Sequence, residues 1–159
     1  MLNFLKGRKT EKGFTLVEFL VVLGLIFVLV AVIAMAAYKS TQRTRVSRVK
    51  SEVMSISAAA ETWGANKALR FSGVNMDQLK GSDQLSEDLV TNNYTNPWGG
   101  AYTIDNSGPH NVNGSTYTVT IAGIPTDQIA QDVADTLRPM SLDQANSVAD
   151  GTQVQVEFR

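Results

Sequence analysis

The stretch Lys12-Gly13-Phe14-Thr15-Leu16-Val17-Glu18 runs directly into FLVVLGLIFVLVAVIAMAA at Phe19–Ala37, and together these decide how the chain is organised. The second part is 19 residues without a charge. A helix rises about 1.5 Å per residue, so a run of that length matches the roughly 30 Å hydrocarbon core of a bilayer. Secretory signals have shorter apolar cores, roughly 7–15 residues. Ala34-Met35-Ala36 nevertheless has the small-x-small form of a signal-peptidase site, so a signal peptide cut after Ala36 stands as an alternative.

Glu18 is the anomaly at the lip of this run. A carboxylate in hydrocarbon costs about 2.5–3.5 kcal/mol on insertion scales, so it needs a partner or a neutral state. On one reading it marks the interfacial end of the helix, where a first-turn acid also suits the helix dipole. The other reading depends on a cut between Gly13 and Phe14, which makes Glu18 the fifth residue of the mature chain. The cut creates an α-amine on Phe14, with a reference pKa of about 7.7–8.0. A second copy shifted along a filament axis would bring its Phe14 amine to this Glu18. Such a pair would fix axial register more than it would stabilise, because desolvation opposes the attraction.

Charge supports a division at this point. Residues 1–13 hold Lys6, Arg8, Lys9 and Lys12 against Glu11, a net +3, which leaves −4 for the rest of a chain whose total is −1. That balance does not ask for nucleic acid as a direct partner. Lys39, Arg43, Arg45, Arg48 and Lys50 follow the apolar run, so positive charges flank both ends and do not set orientation. The cut at Gly13 is what implies a cytoplasmic N-terminus.

Downstream, no proline occurs before Pro97, and Gly24 is the only glycine from Phe14 to Gly64. One helix is therefore expected over residues 14–69, with its hydrophobic segment at 14–37. Val46, Val49, Val53, Ile56, Ala60 and Trp63 recur at spacings of three and four, a single apolar stripe for packing a head domain. Arg43, Arg45, Arg48, Lys50 and Glu52 lie mostly off the stripe; the basic run reads as a solvated face, with contact to anionic lipid before assembly or to acidic head surfaces in a filament as the alternative.

Residues 70–159 form the expected head. Val74–Leu79 and Ser82–Val90 suggest short helical or loop elements, the second capped by Ser82 or Asp83. Asn96–Gly100 is a turn cluster. Ala101–Ile104, Tyr117–Ile121 and Gln153–Phe158 alternate as strands, the last turning Val154, Val156 and Phe158 to one face. Between them, Thr126-Asp127 opens a helix through Ile129, Val133 and Leu137, stopped by Pro139. The expected class is α+β: a long N-terminal helix, membrane-spanning then amphipathic, packed on an antiparallel sheet of three or four strands.

Several chemistries are disfavoured. The chain has no cysteine, which excludes a disulfide framework, a thiolate metal site and a cysteine nucleophile. The single histidine, His110, lies in a Ser-Gly-Pro-His-Asn loop and reads as a solvated residue. Asp143, Asp150 and Gly151 lack the dense ligand set of a calcium loop. Asn93-Tyr94-Thr95 and Asn113-Gly114-Ser115 match glycosylation sequons, a pattern short enough to recur by chance. With no catalytic set or phosphate loop, no enzymatic activity, cofactor or metal is expected.

Lys12 to Glu18 with the apolar run behind it resembles the class III signal of type IV pilins and type II secretion pseudopilins. The resemblance implies a prepilin peptidase that cuts between Gly13 and Phe14, N-methylation of Phe14, and a filament-assembly role for Glu18. In the head, Asn96-Pro97-Trp98-Gly99-Gly100, Tyr117–Pro125 and the helical Gln128–Leu137 are similar to type IVb and conjugative thin-pilus major pilins. Those pilins carry a disulfide; here the region of the first bridging cysteine reads Asp127-Gln128-Ile129. The 13-residue leader and the Phe at the new N-terminus are more like the IVa group.

The resulting expectation is a structural subunit with a leader at 1–13, a long helix at 14–69 and an α+β head at 70–159. As a precursor it would sit in the bacterial inner membrane, meet prepilin peptidase and a pilus assembly platform, and polymerise with itself into an extracellular helical filament. Surface attachment, motility, DNA uptake or conjugation would follow. The alternatives are a type II secretion pseudopilin and a monomeric membrane-anchored envelope protein.

Overall fold

The computed structural model describes residues 14–81, 84–142 and 151–159. One helix, α1, runs over Leu16–Ala65. It shares two compact units: the described part of Met1–Ser40 is the first, and Thr41–Arg159 is the second.

In the first unit α1 is apolar on all sides. Leu25, Phe27 and Ile33 are 61%, 72% and 66% exposed. This part of the helix is long and apolar enough to cross a membrane, and none of its apolar window is buried among the described residues. In the second unit the same helix becomes one-faced. Val46, Val49, Val53, Ile56 and Ala60 are buried and Trp63 packs against the core, which is the stripe expected from the sequence.

α1 stops at Ala65, four residues before Leu69. Gly64 is the reason. Its carbonyl accepts from Lys67 N at 2.8 Å and Leu69 N at 2.9 Å, closing the helix, while Ala68 and Leu69 take left-handed φ values of 55° and 57°. A Cβ on Gly64 would lie 2.5 Å from Phe71 Cε1, so the glycine also seats the Phe71 ring as the chain turns back.

Two short helices follow, α2 at Met76–Leu79 and α3 at Glu87–Thr91. The Asn75 side chain accepts from Gln78 N at 2.9 Å and caps α2. The expected caps for the next helix, Ser82 and Asp83, lie outside the described residues; α3 begins later, with Ser86 at its N-cap position. Ser55 Oγ on α1 accepts from Ser86 N at 2.8 Å and donates to Gln84 O at 3.0 Å, which ties this entry to the helix.

The sheet has three strands in the order β1 (Tyr102–Asp105), β2 (Tyr117–Ile121), β3 (Val154–Phe158), all antiparallel. Tyr102, Ile104, Val119, Ile121, Val154 and Val156 turn one face into the core shared with α1. Tyr117 stacks on Phe158 at 5.4 Å between ring centroids and meets Phe71 at 4.6 Å. Its hydroxyl reaches Ser57 Oγ on α1 at 2.8 Å. The last helix, α4, covers Asp127–Leu137, with Thr126 Oγ1 accepting from Ile129 N at 3.3 Å as its cap. Pro139 falls in the short 3-10 turn Arg138–Met140 that ends it.

Asn96–Gly100 is a turn, as expected. Gly99 N donates to Asn96 O at 2.9 Å and Asn96 N donates to Gly100 O at 2.8 Å, just inside a bridge between Thr95 and Ala101. Asn96 Nδ2 donates to Ala122 O at 2.6 Å. A Cβ on Gly100 would collide with that same carbonyl, so only glycine allows the turn to lie against the end of β2.

Candidate functional site

The segment singled out by the sequence begins with Phe14, which is 80% exposed, and Thr15, just before α1. Gly13 lies outside the described residues. Thr15 and Glu18 hold each other. Glu18 N donates to Thr15 Oγ1 at 3.2 Å, while Thr15 N and Thr15 Oγ1 each donate to Glu18 Oε2 at 2.8 Å. This is a capping box, in which a Thr and the Glu three residues later satisfy each other's backbone N–H groups. The signal was present in the spacing Thr15-x-x-Glu18, and the expectation of a simple first-turn acid overlooked it.

The capping box gives Glu18 a role in the single chain. It starts the helix beside Phe14 and holds the carboxylate close to the N-terminal end of an exposed apolar surface. Both side-chain bonds use Oε2, so Oε1 takes no part in the cap. Asp, Glu and His side chains do not gather into a metal-binding group among the described residues.

Two other glutamates behave differently from the expectation. Glu52, expected on the solvated face, is only 6% exposed. It accepts from Tyr102 Oη at 2.6 Å and from Arg48 Nε at 2.8 Å. Burial, and then the Glu52 carboxylate beside it, push the Tyr102 hydroxyl well above its ordinary pKa. The same carboxylate raises the Arg48 guanidinium. Arg48 is therefore part of the joint between head and helix, although its side chain remains about half exposed. Near it, Trp98 of the Asn96–Gly100 turn donates from Nε1 to Gln42 Oε1 at 3.1 Å. The i, i+4 pair Arg48–Glu52 was visible in the sequence, but its burial depends on Tyr102, fifty positions away.

Glu157 departs from the alternation of β3: it is 3% exposed although it points away from the Val154–Val156 face. His110 is not simply solvated either. Its Nδ1 lies 2.8 Å from Glu157 Oε2, and the side chain is 46% exposed.

With this geometry in view, comparison with known proteins concerns mainly the N-terminus. Residues 8–36 match the prokaryotic N-terminal methylation motif. Two curated relatives, each named fimbrial protein and each from Pseudomonas aeruginosa, are 46% identical to this chain over 55 residues. That match covers 34% of this chain and 35% of each relative, so the chain spans about a third of the length of the curated relatives it matches. No solved structure matches the chain. The methylation motif, the similarity to fimbrial proteins and the α+β architecture support a type IV pilin. The chain is type IV pilin-like: a prepilin-type motif leads into a candidate transmembrane helix.

Proposed function

We propose that the chain is the structural subunit of a type IV pilus filament. The observation that carries this is the coincidence, at one end of the chain, of the methylation motif at residues 8–36 with an apolar helix surface that none of the described residues buries. A helix apolar on every side has to be covered by lipid or by other apolar helices. A membrane covers it in the precursor, and copies of itself cover it in a filament.

The steps are those that the resemblance to prepilins implies. Prepilin peptidase cuts between Gly13 and Phe14, removing the basic leader and freeing the Phe14 amine, which is then methylated. A secondary amine formed this way still takes a proton near neutral pH, so its charge remains available. Glu18, held at the start of α1 by Thr15, receives the Phe14 amine of the next subunit and sets the axial register. The subunit leaves the inner membrane through an assembly platform and joins a surface filament whose core is the bundled residues 14–37. The α+β heads form the outside, serving attachment, motility, DNA uptake or conjugation.

Mass spectrometry of the mature N-terminus in sheared surface filaments tests this. The expected result is a chain beginning with methylated Phe14. A chain beginning at or near Tyr38 would mean signal-peptidase cleavage and would sink the filament proposal. An intact leader on all of the protein would point instead to a monomeric membrane-anchored form.

A further inference from the structure

We propose that Glu157 and His110 form a pH-responsive clasp that fastens the connection between β1 and β2, residues 106–116, to the C-terminal strand of the head. Glu157 sits on β3 with its side chain 3% exposed. Three groups from the connection converge on its carboxylate. Thr116 Oγ1 donates to Oε1 at 2.8 Å, His110 N donates to Oε1 at 3.1 Å, and His110 Nδ1 lies 2.8 Å from Oε2. The seat is shaped for this approach: a Cβ on Gly108 would collide with the Glu157 carboxylate and lie 2.8 Å from Thr118 Oγ1. The connection therefore lies directly on the outer face of the sheet, which is why Glu157 is buried against the alternation of its strand.

Among the described residues the charges near this face can be named. His110 is the sole titratable residue in 106–116. The register Asp105↔Thr118↔Glu157 brings Asp105 to the same sheet face from β1, where it is exposed and accepts from Ser107 N at 2.8 Å. β2 contributes the uncharged Thr118. α4, packed on β3, turns Ile129, Val133 and Leu137 inward and keeps Asp127, Asp132 and Asp135 exposed. Arg159 follows the strand and is exposed. The His110 ring is a titratable group in direct contact with the buried carboxylate, and it is exposed enough to exchange a proton with water.

The sign follows from the pair. Imidazole ordinarily titrates near pH 6.5. With the ring protonated, Nδ1–H makes a charge-assisted bond to the buried carboxylate and the clasp is tightest. Raising the pH through the imidazole range leaves a neutral Nδ1–H donor on a buried carboxylate, a weaker bond. The connection then opens more often, while the core face of the sheet is unaffected. The clasp rests on the head alone and does not depend on cleavage or assembly.

Amide hydrogen exchange on the detergent-solubilised full chain, corrected for intrinsic rates, tests it at pH 6 and pH 8. Protection of residues 106–116 should fall by about fivefold at the higher pH, relative to the core strand β2; that ratio corresponds to about 1 kcal/mol. His110→Gln, which keeps a neutral donor, should remove the pH dependence while leaving protection at pH 8 near the wild-type value. Thr116→Val deletes a donor that does not titrate, so protection should drop at both pH values with the wild-type ratio kept. Equal protection at both pH values in the wild type would overturn the proposal. So would a pH dependence that survives His110→Gln or disappears in Thr116→Val.

Discussion

The two parts of α1 are chemically unlike although they belong to one helix. Up to Ser40 its apolar side chains point in every direction and stay exposed, with Phe27 at 72% and Leu29 at 60%. From Val46 onward the apolar residues form a stripe, and Val49, Val53 and Ile56 have no exposed surface. Their acids differ in the same way. Glu18 is exposed and is held by its own first turn, whereas Glu52 is buried between Tyr102 and Arg48. The second part of the helix is answered within the chain by the head. The first part keeps its apolar side chains exposed among the described residues.

The contrast can be broken most completely at the junction before α1. Replacing Gly13 with Leu should block maturation, leaving full-length precursor in the membrane and no filaments. Immunoblotting of membranes and sheared filaments would show it, and normally matured protein from that variant would count against the assigned cut.

Next in size is a matched pair of truncations, one in each part of the helix. Ile56→Ala removes a fully buried side chain and should cost about 2–5 kcal/mol in urea unfolding of the detergent-solubilised chain. Ile26→Ala, at a position 48% exposed, should change the same measurement by less than about 0.5 kcal/mol. If the two variants unfold alike, the division of labour along α1 is wrong.

A smaller effect is expected where head and helix meet through polar groups. Tyr102→Phe leaves the buried Glu52 carboxylate short of a donor and should cost about 1–3 kcal/mol. The tyrosines also set an alkaline limit. Burial comes first among the causes that raise both Tyr102 and Tyr117, so each holds its proton in the folded state at a pH where the unfolded chain loses it. Stability is then fully present below about pH 10, the ordinary tyrosine value, and falls as pH rises further. Replacing both tyrosines with Phe should flatten that alkaline loss. A loss of undiminished steepness would assign it to other groups.

The finest distinction concerns Glu18. Glu18→Gln keeps an acceptor that can complete the capping box but removes the charge, and Glu18→Ala removes both. The cap itself is worth about 0.5–2 kcal/mol of helix stability. Processing at Gly13 should survive both changes. Filament yield, measured by electron microscopy of sheared material, should fall in both if subunits dock through the charge. Wild-type yield from Glu18→Gln with loss only in Glu18→Ala would give Glu18 a capping role and remove it from subunit docking.

Local periodicity carried much of the architecture. The stripe from Val46 to Trp63 needed only the 3.6-residue repeat, and β2 was bounded at Tyr117 and Ile121 by its alternation between turn residues. The core face of β3 was legible in the same way. Three features were not. The end of α1 depends on the Phe71 ring against Gly64, a contact made only after the chain has turned. The burial of Glu52 depends on Tyr102 arriving from β1. The burial of Glu157 depends on a connection folding across the outer face of the sheet, where an alternating pattern predicts water. At the N-terminus the motif itself was fully local, and so was the capping box within it, which spans the four residues Thr15 to Glu18.

The amino-acid sequence by itself determined that this chain has a basic leader-like start, a prepilin-type motif, an apolar helix long enough for a bilayer, and an α+β head. These are properties of adjacent residues: charge, spacing and the repeat of helix or strand. Tertiary structure alone decided which polar groups are hidden. Solvated and buried glutamates look alike in a sequence, and their fates were set by distant residues. Tyr102 and Arg48 receive Glu52, and Thr116 and His110 receive Glu157, whereas the exposed Glu18 is held locally by Thr15. A carboxylate survives burial only where donors converge on it, and convergence is a property of the folded chain.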